Sequence, residues 1–366
     1  MDIYRDRLNL VKEKMVANNI DALILFPSSN QYYLTGFRTG AGERLLLTII
    51  PMDSEPFFIA PMLYESQIKK ESWIKDIILW SDDDNAYEVL KKVLEEKGLD
   101  KDSFAVDDTM YSVQLLSLMD ALPRAEFTAI GDMISSLRLK KSSEETDKIR
   151  FASKIVDEVV EEVRKNARPG MTEIEIAALM EYEMRKRGSE GPSFETIVGS
   201  GPNSALPHYN AGERKVENGD FMVLDFGAIY KGYCSDTTRT LCMGEPSQKM
   251  REVYEIVKEA QEIGVKTVRP GIKAKEVDEA VRKHITDKGY GRYFTHRTGH
   301  GLGIMVHEEP YISGISESIL EPGMVFSIEP GIYIEGEFGV RIEDIVVVTE
   351  NGCERLNNYS RELTII

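Results

Sequence analysis

The second part of the sequence repeats itself, and this repeat restricts the fold more than any other feature of the chain. The segment RPGMTEIEIAALMEYEMRKRG starts at Arg168 and RPGIKAKEVDEAVRKHITDKG starts at Arg269, an offset of 101 residues. Farther along, ENGDFMVLDFGAIYKG and EPGMVFSIEPGIYIEG match at an offset of 104 residues, which aligns Asp225 with Glu329. Two matches in the same order indicate a duplicated helix-then-hairpin unit. We therefore predict two similar halves related by a pseudo-twofold axis, with a site on that axis.

Each half carries two acidic residues beside apolar, strand-like runs. In the first half, Asp225 ends the run FMVLD and Asp236 follows eleven residues later. In the second half, Glu329 ends the run MVFSIE and Glu343 follows fourteen residues later in GVRIEDIVVV. A buried carboxylate without a partner is costly, or it becomes protonated instead. Four such acids that converge on one axis predict bound cations.

Histidine is rare in this chain, and most of it is clustered. Three of the five histidines, His296, His300 and His307, lie in the glycine-rich stretch FTHRTGHGLGIMVHEEP, and His208 in LPHYN takes the place opposite His307 in the first half. Four carboxylates and an imidazole suit a pair of divalent ions such as Mn, Co, Fe or Zn. Such a pair activates a water molecule for hydrolysis without a serine or cysteine nucleophile. Each residue alone also fits a turn, a strand hydrogen bond or a surface ion pair, but their joint order favours a site.

Residues 1–130 show a different pattern. Short apolar runs alternate there with helix-like stretches, and the runs are DALILF, RLLLTIIP, PFFIAP, KDIILW and SFAVDD. This alternation predicts an α/β domain built on a covered sheet. Ser142 and Glu145 then have the spacing of a capping box ahead of a long amphipathic helix. We expect an α/β domain over residues 1–130 and an α+β domain with the internal repeat over residues 131–366.

The overall charge and the cysteine usage exclude several classes of partner and location. The chain has 45 basic and 62 acidic residues and a formal net charge of -17, which argues against nucleic acid as the partner. No apolar run approaches the roughly 20 residues of a membrane helix. The three cysteines form no C-x-x-C pair, which is typical of reduced thiols. We expect a cytoplasmic protein that binds neither nucleic acid nor membrane.

Four ordered segments carry a resemblance to a known family. LDFGAIYKGYCSDTTRT, HRTGHGLGIMVHEEP, GMVFSIEPGIY and VRIEDIVVV resemble the pita-bread metallopeptidases of the Xaa-Pro type, prolidase and aminopeptidase P. NIDALILFPSSNQYYLTGF resembles the creatinase-type N-terminal domain of the same enzymes. Position by position, the resemblance implies five metal ligands: Asp225, Asp236, His300, Glu329 and Glu343. It also implies a set of catalytic and substrate-facing residues: His208, His296, His307, Glu329 and Arg341.

The resemblance implies hydrolysis of Xaa-Pro bonds by two divalent ions, with manganese favoured among Mn, Co, Zn and Fe. The expected substrate is a small peptide with proline in second position, and the expected assembly is a homodimer. Prolidase, which cleaves dipeptides, is the favoured activity. Three alternatives stay open: an aminopeptidase P that takes longer peptides, a creatinase-type reaction without metal, and a non-catalytic pita-bread module that binds peptides.

Overall fold

The computed structural model describes residues 2–366 and divides the chain into two compact units. The first unit ends at Arg138 and the second runs from Leu139 to Ile366. The helix Asp132–Arg138 packs against the N-terminal helix and belongs to the first unit. None of the helices in the described part of the chain is both long and apolar enough to cross a membrane.

The first unit is an α/β structure on one mixed sheet. Its six strands have the order β4-β3-β2-β1-β5-β6, in which β2 is antiparallel to both neighbours and the other pairs are parallel. The predicted apolar runs form β1 to β5, and their side chains build a buried core with α4 and α5. The elements are α1 (Asp2–Asn18), β1 (Ala22–Leu25), α2 (Ser29–Thr35), β2 (Leu47–Pro51), β3 (Phe57–Pro61), α3 (Glu65–Glu71), β4 (Asp76–Trp80), α4 (Ala86–Glu96), β5 (Ser103–Val106), α5 (Ser112–Ala121), β6 (Glu126–Ala129) and α6 (Asp132–Arg138).

The second unit is an α+β structure whose long first helix begins at the predicted capping box. The Ser142 hydroxyl accepts from the Glu145 amide, and the Glu145 carboxylate accepts from the Ser142 amide. The elements are α7 (Ser143–Asn166), α8 (Glu173–Lys186), β7 (Ile197–Ser200), β8 (Phe221–Phe226), β9 (Ile229–Tyr230), β10 (Tyr233–Cys234), β11 (Thr237–Cys242), α9 (Gln248–Thr267), α10 (Ala274–Asp287), β12 (Gly299–Gly301), β13 (Glu308–Ile312), β14 (Val325–Ile328), β15 (Gly331–Ile334), β16 (Phe338–Arg341), β17 (Asp344–Thr349), β18 (Gly352–Arg355) and β19 (Thr364–Ile365).

The repeat seen in the sequence is also a repeat of structure. Helices α8 and α10 start at corresponding positions, and β8 and β14 follow them at the second offset. Isolated bridges tie each helix start to the chain ahead of its strand: Thr172 pairs with Lys215, and Lys273 pairs with Ile319. These partners correspond at the same two offsets as the sequence matches. The predicted duplication is therefore real at the level of backbone pairing.

Two sheets of the second unit carry the four acids of the repeat. The order β19-β11-β8-β7 forms one sheet and β13-β12-β14-β17-β18 forms the other. Asp225 lies in β8 and Asp236 directly precedes β11, while Glu329 directly follows β14 and Glu343 directly precedes β17. Each half thus contributes one acid from the end of one strand and one acid from the start of the next long strand. Apolar clusters that include residues of α7, α8, α9 and α10 cover the sheets.

Candidate metal centre

One cavity in the second unit brings together every site residue that the sequence predicts. Its volume is about 360 Å³. The nine predicted residues on its wall are His208, Asp225, Asp236, His296, His300, His307, Glu329, Arg341 and Glu343. The rest of the wall comes from Phe194, Glu195, Ile197, Pro207, Tyr209, Asn210 and Arg297. Residues from both halves of the repeat therefore line one cavity, as expected for a pseudo-twofold arrangement.

Three carboxylates in this cavity each have an oxygen without a partner. Asp225, Asp236 and Glu343 are buried, with 9%, 4% and 1% of their surface exposed. Asp225 Oδ1, Asp236 Oδ1 and Glu343 Oε1 have no hydrogen-bond partner among residues 2–366. Buried polar atoms in folded proteins normally have one, so these three oxygens require an explanation. A divalent cation among them supplies it, since hard cations bind through carboxylate oxygens.

His300 completes a set of donors that fits such a cation. Its Nδ1 lies 3.1 Å from the Gly301 carbonyl oxygen, so Nδ1 carries the proton and Nε2 keeps a free lone pair. Nε2 lies 3.5 Å from Asp236 Oδ2 and 3.3 Å from Glu329 Oε1. Ligand atoms of Asp236, His300 and Glu343 all lie within 4.8 Å of one another. Carboxylate oxygens with one neutral imidazole form a donor set for divalent metal.

Glycine on both sides of His300 is a steric requirement of β12. A Cβ atom at Gly299 would lie 1.9 Å from the Ser327 carbonyl oxygen, and one at Gly301 would lie 2.2 Å from the Glu309 carbonyl oxygen. Both neighbours are backbone atoms of adjacent chain segments, which cannot move aside cheaply. The sequence Gly-His-Gly thus lets the strand sit close enough for His300 to reach the acids.

The acids are difficult to ionise in the protein without metal. Burial raises the pKa of Asp236 well above its usual range, and the charges of Glu343 and Asp225 raise it further. Burial likewise raises the pKa of Glu343, with added repulsion from Glu329 and Asp225. Burial, opposed by Arg341 and assisted by Asp225, raises the pKa of Glu329 to about 7. These directions indicate a cluster that needs positive charge to be fully ionised.

Arg341 is the fixed cation of the site and connects the two halves. Its Nη2 donates to Asp225 Oδ2 at 2.5 Å, and its Nη1 donates to the Tyr333 hydroxyl at 2.7 Å. Its Nε donates to Thr238 Oγ1 at 3.0 Å, and that hydroxyl in turn donates to Glu343 Oε2 at 2.7 Å. Arg341 therefore fixes one acid directly and a second acid through Thr238.

Two further histidines of the cavity wall, His296 and His307, favour the neutral form. Burial lowers the pKa of His296 to about 4, with Arg341 adding to the shift. Burial also lowers the pKa of His307, with Arg297 adding to it. His296 Nδ1 lies 2.7 Å from the Arg297 carbonyl oxygen and Nε2 lies 2.9 Å from the Tyr333 hydroxyl, so Nδ1 donates and Nε2 accepts. The rings of His307 and His300 pack edge to face, with their centroids 4.2 Å apart. His208 is exposed at the rim of the cavity. Neutral imidazoles of this kind donate or accept hydrogen bonds without adding charge.

Several residues of the site escaped sequence reasoning, among them Thr238, Tyr333 and Arg297. Thr238 had a usable signal, because it lies two positions after Asp236 and so projects from the same face of the strand. Tyr333 had none, since its link to His296 and Arg341 depends on the packing of β15 on β16. Arg297 lies on the cavity wall with its guanidinium 4.3 Å from the ring of Tyr311.

Comparison with known proteins identifies relatives along the whole chain. The model of metallopeptidase family M24 matches residues 147–350, and that of the Creatinase/Prolidase N-terminal domain matches residues 7–140. An Xaa-Pro dipeptidase of Pyrococcus furiosus is 39% identical over 98% of this chain and 99% of its own length. A solved prolidase of Thermococcus sibiricus has a TM-score of 0.95 at 42% identity, with 100% of both chains covered. A solved X-Pro aminopeptidase of Thermotoga maritima has a TM-score of 0.88 at 37% identity, with 98% and 99% covered.

These findings confirm the predicted family and the predicted fold class. The relatives are similar over the full chain rather than over one motif, and the M24 match contains all five predicted ligands. Membership implies divalent metal, and the orphaned carboxylate oxygens around His300 fit that requirement. The chain therefore belongs to metallopeptidase family M24: it is a peptidase with a creatinase-type N-terminal domain followed by a pita-bread catalytic domain.

Proposed function

We propose that this peptidase hydrolyses Xaa-Pro bonds in small peptides and that dipeptides are its preferred substrates. The observation that carries the proposal is the convergence of five acid and histidine donors on one cavity, three of them with orphaned buried oxygens. Relatives named Xaa-Pro dipeptidase and prolidase, similar over the full chain, support the choice of bond and of substrate length.

In this proposal Asp225, Asp236, His300, Glu329 and Glu343 hold two divalent ions. The first two come from the first half of the repeat and the other three from the second half. When bound, the ions supply Lewis acidity and lower the pKa of the attacking water. The positive charge of the ions also favours the ionised forms of Asp236, Glu329 and Glu343, whose pKa values burial raises.

The protein's own residues then handle the proton and the oxyanion. Glu329 takes the proton of the attacking water and passes it to the leaving proline nitrogen. His307 and His208 donate N–H groups to the oxyanion that develops from the carbonyl before proline. Arg341 and Tyr333 hold Asp225 and His296 in place. The proline nitrogen of the substrate carries no N–H, so the cavity recognises the ring by shape rather than by a backbone hydrogen bond.

The finer features of the proposal rest on chemistry and on the family. Manganese is the favoured metal because oxygen-rich sites suit it, although the same donors accept Co, Zn or Fe. The three cysteines Cys234, Cys242 and Cys353 form no disulfide within residues 2–366, which fits the cytoplasmic location that we propose. We propose a homodimer as the assembly.

A second candidate is Xaa-Pro aminopeptidase activity on longer peptides. The solved Thermotoga maritima X-Pro aminopeptidase is 37% identical to this chain, only slightly less than the dipeptidases, and supports this alternative. The two activities use the same chemistry and differ in whether the cavity accepts residues beyond proline.

A substrate panel tests the proposal and separates the two activities. Protein stripped of metal and reloaded with Mn is incubated with Met-Pro, Met-Ala and a Met-Pro-Xaa tripeptide, and the released amino acids are quantified. We expect kcat/KM for Met-Pro to exceed that for Met-Ala and for the tripeptide by about tenfold or more. Equal cleavage of the tripeptide would favour the aminopeptidase. The absence of hydrolysis on all three peptides would overturn the proposal.

A further inference from the structure

Glu173 is a fully buried carboxylate outside the metal centre. It is the first residue of α8, it is 0% exposed, and none of its atoms lies on the cavity wall. Five donor groups surround its two oxygens. All of them come from one segment, residues 200–212, which we call the His208 loop because it carries that histidine. The carboxylate is therefore a hub for this loop.

The donors come from both ends of the His208 loop. At its start, the Ser200 amide and hydroxyl donate to Oε1 at 2.8 and 2.7 Å, and Asn203 Nδ2 donates to the same oxygen at 3.1 Å. At its end, the Tyr209 hydroxyl and the Gly212 amide donate to Oε2 at 2.7 and 3.1 Å. All five groups that surround the Glu173 carboxylate donate hydrogen bonds. Only a side chain that accepts at both of its terminal atoms, as a carboxylate does, satisfies all five donors.

The Tyr209 hydrogen bond sets the orientation of the residue before it. Burial raises the pKa of Tyr209 to about 12, and Glu173 adds to the shift, so the phenol stays protonated and donates. Because Tyr209 directs its hydroxyl inward to the hub, the neighbouring His208 is left at the rim of the cavity. His208, His296 and His307 all lie on the wall of this one cavity.

The middle of the loop is fastened to the opposite half of the repeat. The Gly339 amide donates to Ser204 Oγ at 2.8 Å, and Arg341 Nη1 donates to the Pro207 carbonyl oxygen at 3.3 Å. The loop is thus held at both ends by Glu173 and in its middle by β16. Four consecutive residues that line the cavity, 207–210, depend on these anchors.

We infer that Glu173 is a positioning residue for the peptidase reaction: it locks the His208 loop so that His208 faces the position of the substrate carbonyl. This inference rests on the proposed function. Glu173 would then affect the reaction rate although its carboxylate is not part of the cavity wall.

The test is a double-mutant cycle with Met-Pro as substrate. We expect Glu173→Gln to lower kcat about 10- to 100-fold with little change in KM, because an amide presents N–H groups to donors and shifts the loop. In the His208→Ala background the same substitution should change kcat/KM by less than about twofold, since the residue through which it acts is gone.

A matched control lies on the same helix. Glu183 of α8 is also a buried carboxylate, but its ion pairs within the described chain are with Lys186 and Arg187, which follow it on the same helix or at its end. Glu183→Gln should keep kcat and leave the amide hydrogen exchange of residues 200–212 unchanged, whereas Glu173→Gln should accelerate that exchange. If Glu173→Gln fails to fold, Asn203→Ala removes one donor from the hub and takes its place in the cycle.

The outcomes separate this inference from the proposed function. A wild-type protein that does not hydrolyse Met-Pro overturns the proposed function and this role with it. If the wild type is active and the fold losses in kcat/KM of Glu173→Gln and His208→Ala multiply in the double variant, the role of Glu173 alone is overturned. Faster loop exchange with unchanged kcat does the same.

Discussion

Single residues of the metal centre act as connected pairs rather than as isolated ligands. Glu343 offers one oxygen to the cavity, while its other oxygen accepts from Thr238. Asp225 divides its two oxygens in the same way between the cavity and Arg341. In each pair the outer residue fixes the angle at which the inner carboxylate faces the cation. Residues that touch no metal are therefore expected to affect metal affinity.

Thr238 provides the sharpest test of this arrangement. Thr238→Val keeps the shape of the side chain but removes the hydroxyl that bridges Glu343 and Arg341. We expect metal affinity or kcat/KM to fall about 10- to 100-fold. The measurement is a metal titration of activity, with Thr238→Ser as the control that keeps the hydroxyl. A valine variant with the affinity and activity of wild type would contradict the bridging role.

The raised pKa values predict how the metal-free protein responds to pH. Glu329 binds its proton more tightly when folded, with a pKa of about 7, than in the unfolded chain. Its contribution to stability is therefore complete at low pH and is lost as pH rises toward and through 7. Without metal, the thermal midpoint should fall by a few degrees more between pH 5.5 and 8 in wild type than in Glu329→Gln. A steeper fall in the variant would contradict the assignment.

The convergence of the acids and histidines on one cavity was predictable from the sequence, whereas the contacts that hold them in place were not. Asp225 and Glu329 occupy matching places in a repeat, and a repeat can be read without coordinates. Thr238, by contrast, contacts Glu343 across 105 positions of sequence, and Glu173 reaches Tyr209 across 36. Such contacts depend on which strands become neighbours, and no local pattern encodes that choice.

At the level of elements, β12 shows how backbone approach creates the site. This three-residue strand pairs with β13 and β14, and its register shifts between His300 and Gly301. The shift and the two glycines together bring the imidazole to the acids. The rest of the element pattern was predicted where apolar runs were long, as in β1 to β5, and was missed in β6, where the side chains are mostly exposed. Hydrophobic periodicity marks only elements with a buried face.

A methyl group tests the close approach at β12. Gly299→Ala would place a Cβ atom 1.9 Å from the Ser327 carbonyl oxygen, so we expect a loss of about 1–3 kcal/mol or more in unfolding free energy. The matched control is Gly352→Ala in β18, where the nearest atom lies at 3.9 Å. Its effect should stay within about 0.5 kcal/mol. Denaturant unfolding measures the free energy of unfolding of both variants. Equal values for Gly299→Ala and Gly352→Ala would contradict the close packing of β12 against Ser327.

At the level of the whole molecule, the proposed metal centre links the two halves of the repeat in the second unit. Asp225 and Asp236 belong to the first half, and His300, Glu329 and Glu343 belong to the second. The duplication of the two halves was predictable from two matching segments alone. Helix α6 carries no sequence signal that assigns it to the first unit, which ends at Arg138.

The most direct test is a metal titration of the stripped protein. The chain is freed of metal with a chelator, Mn is added in steps, and proline release from Met-Pro is measured beside bound metal per chain. We predict that activity appears with metal, reaches its plateau at about two ions per chain, and is lost more than about 100-fold in Asp236→Asn. Full activity in the stripped protein, or an Asp236→Asn variant as active as wild type, would contradict the proposed dinuclear centre.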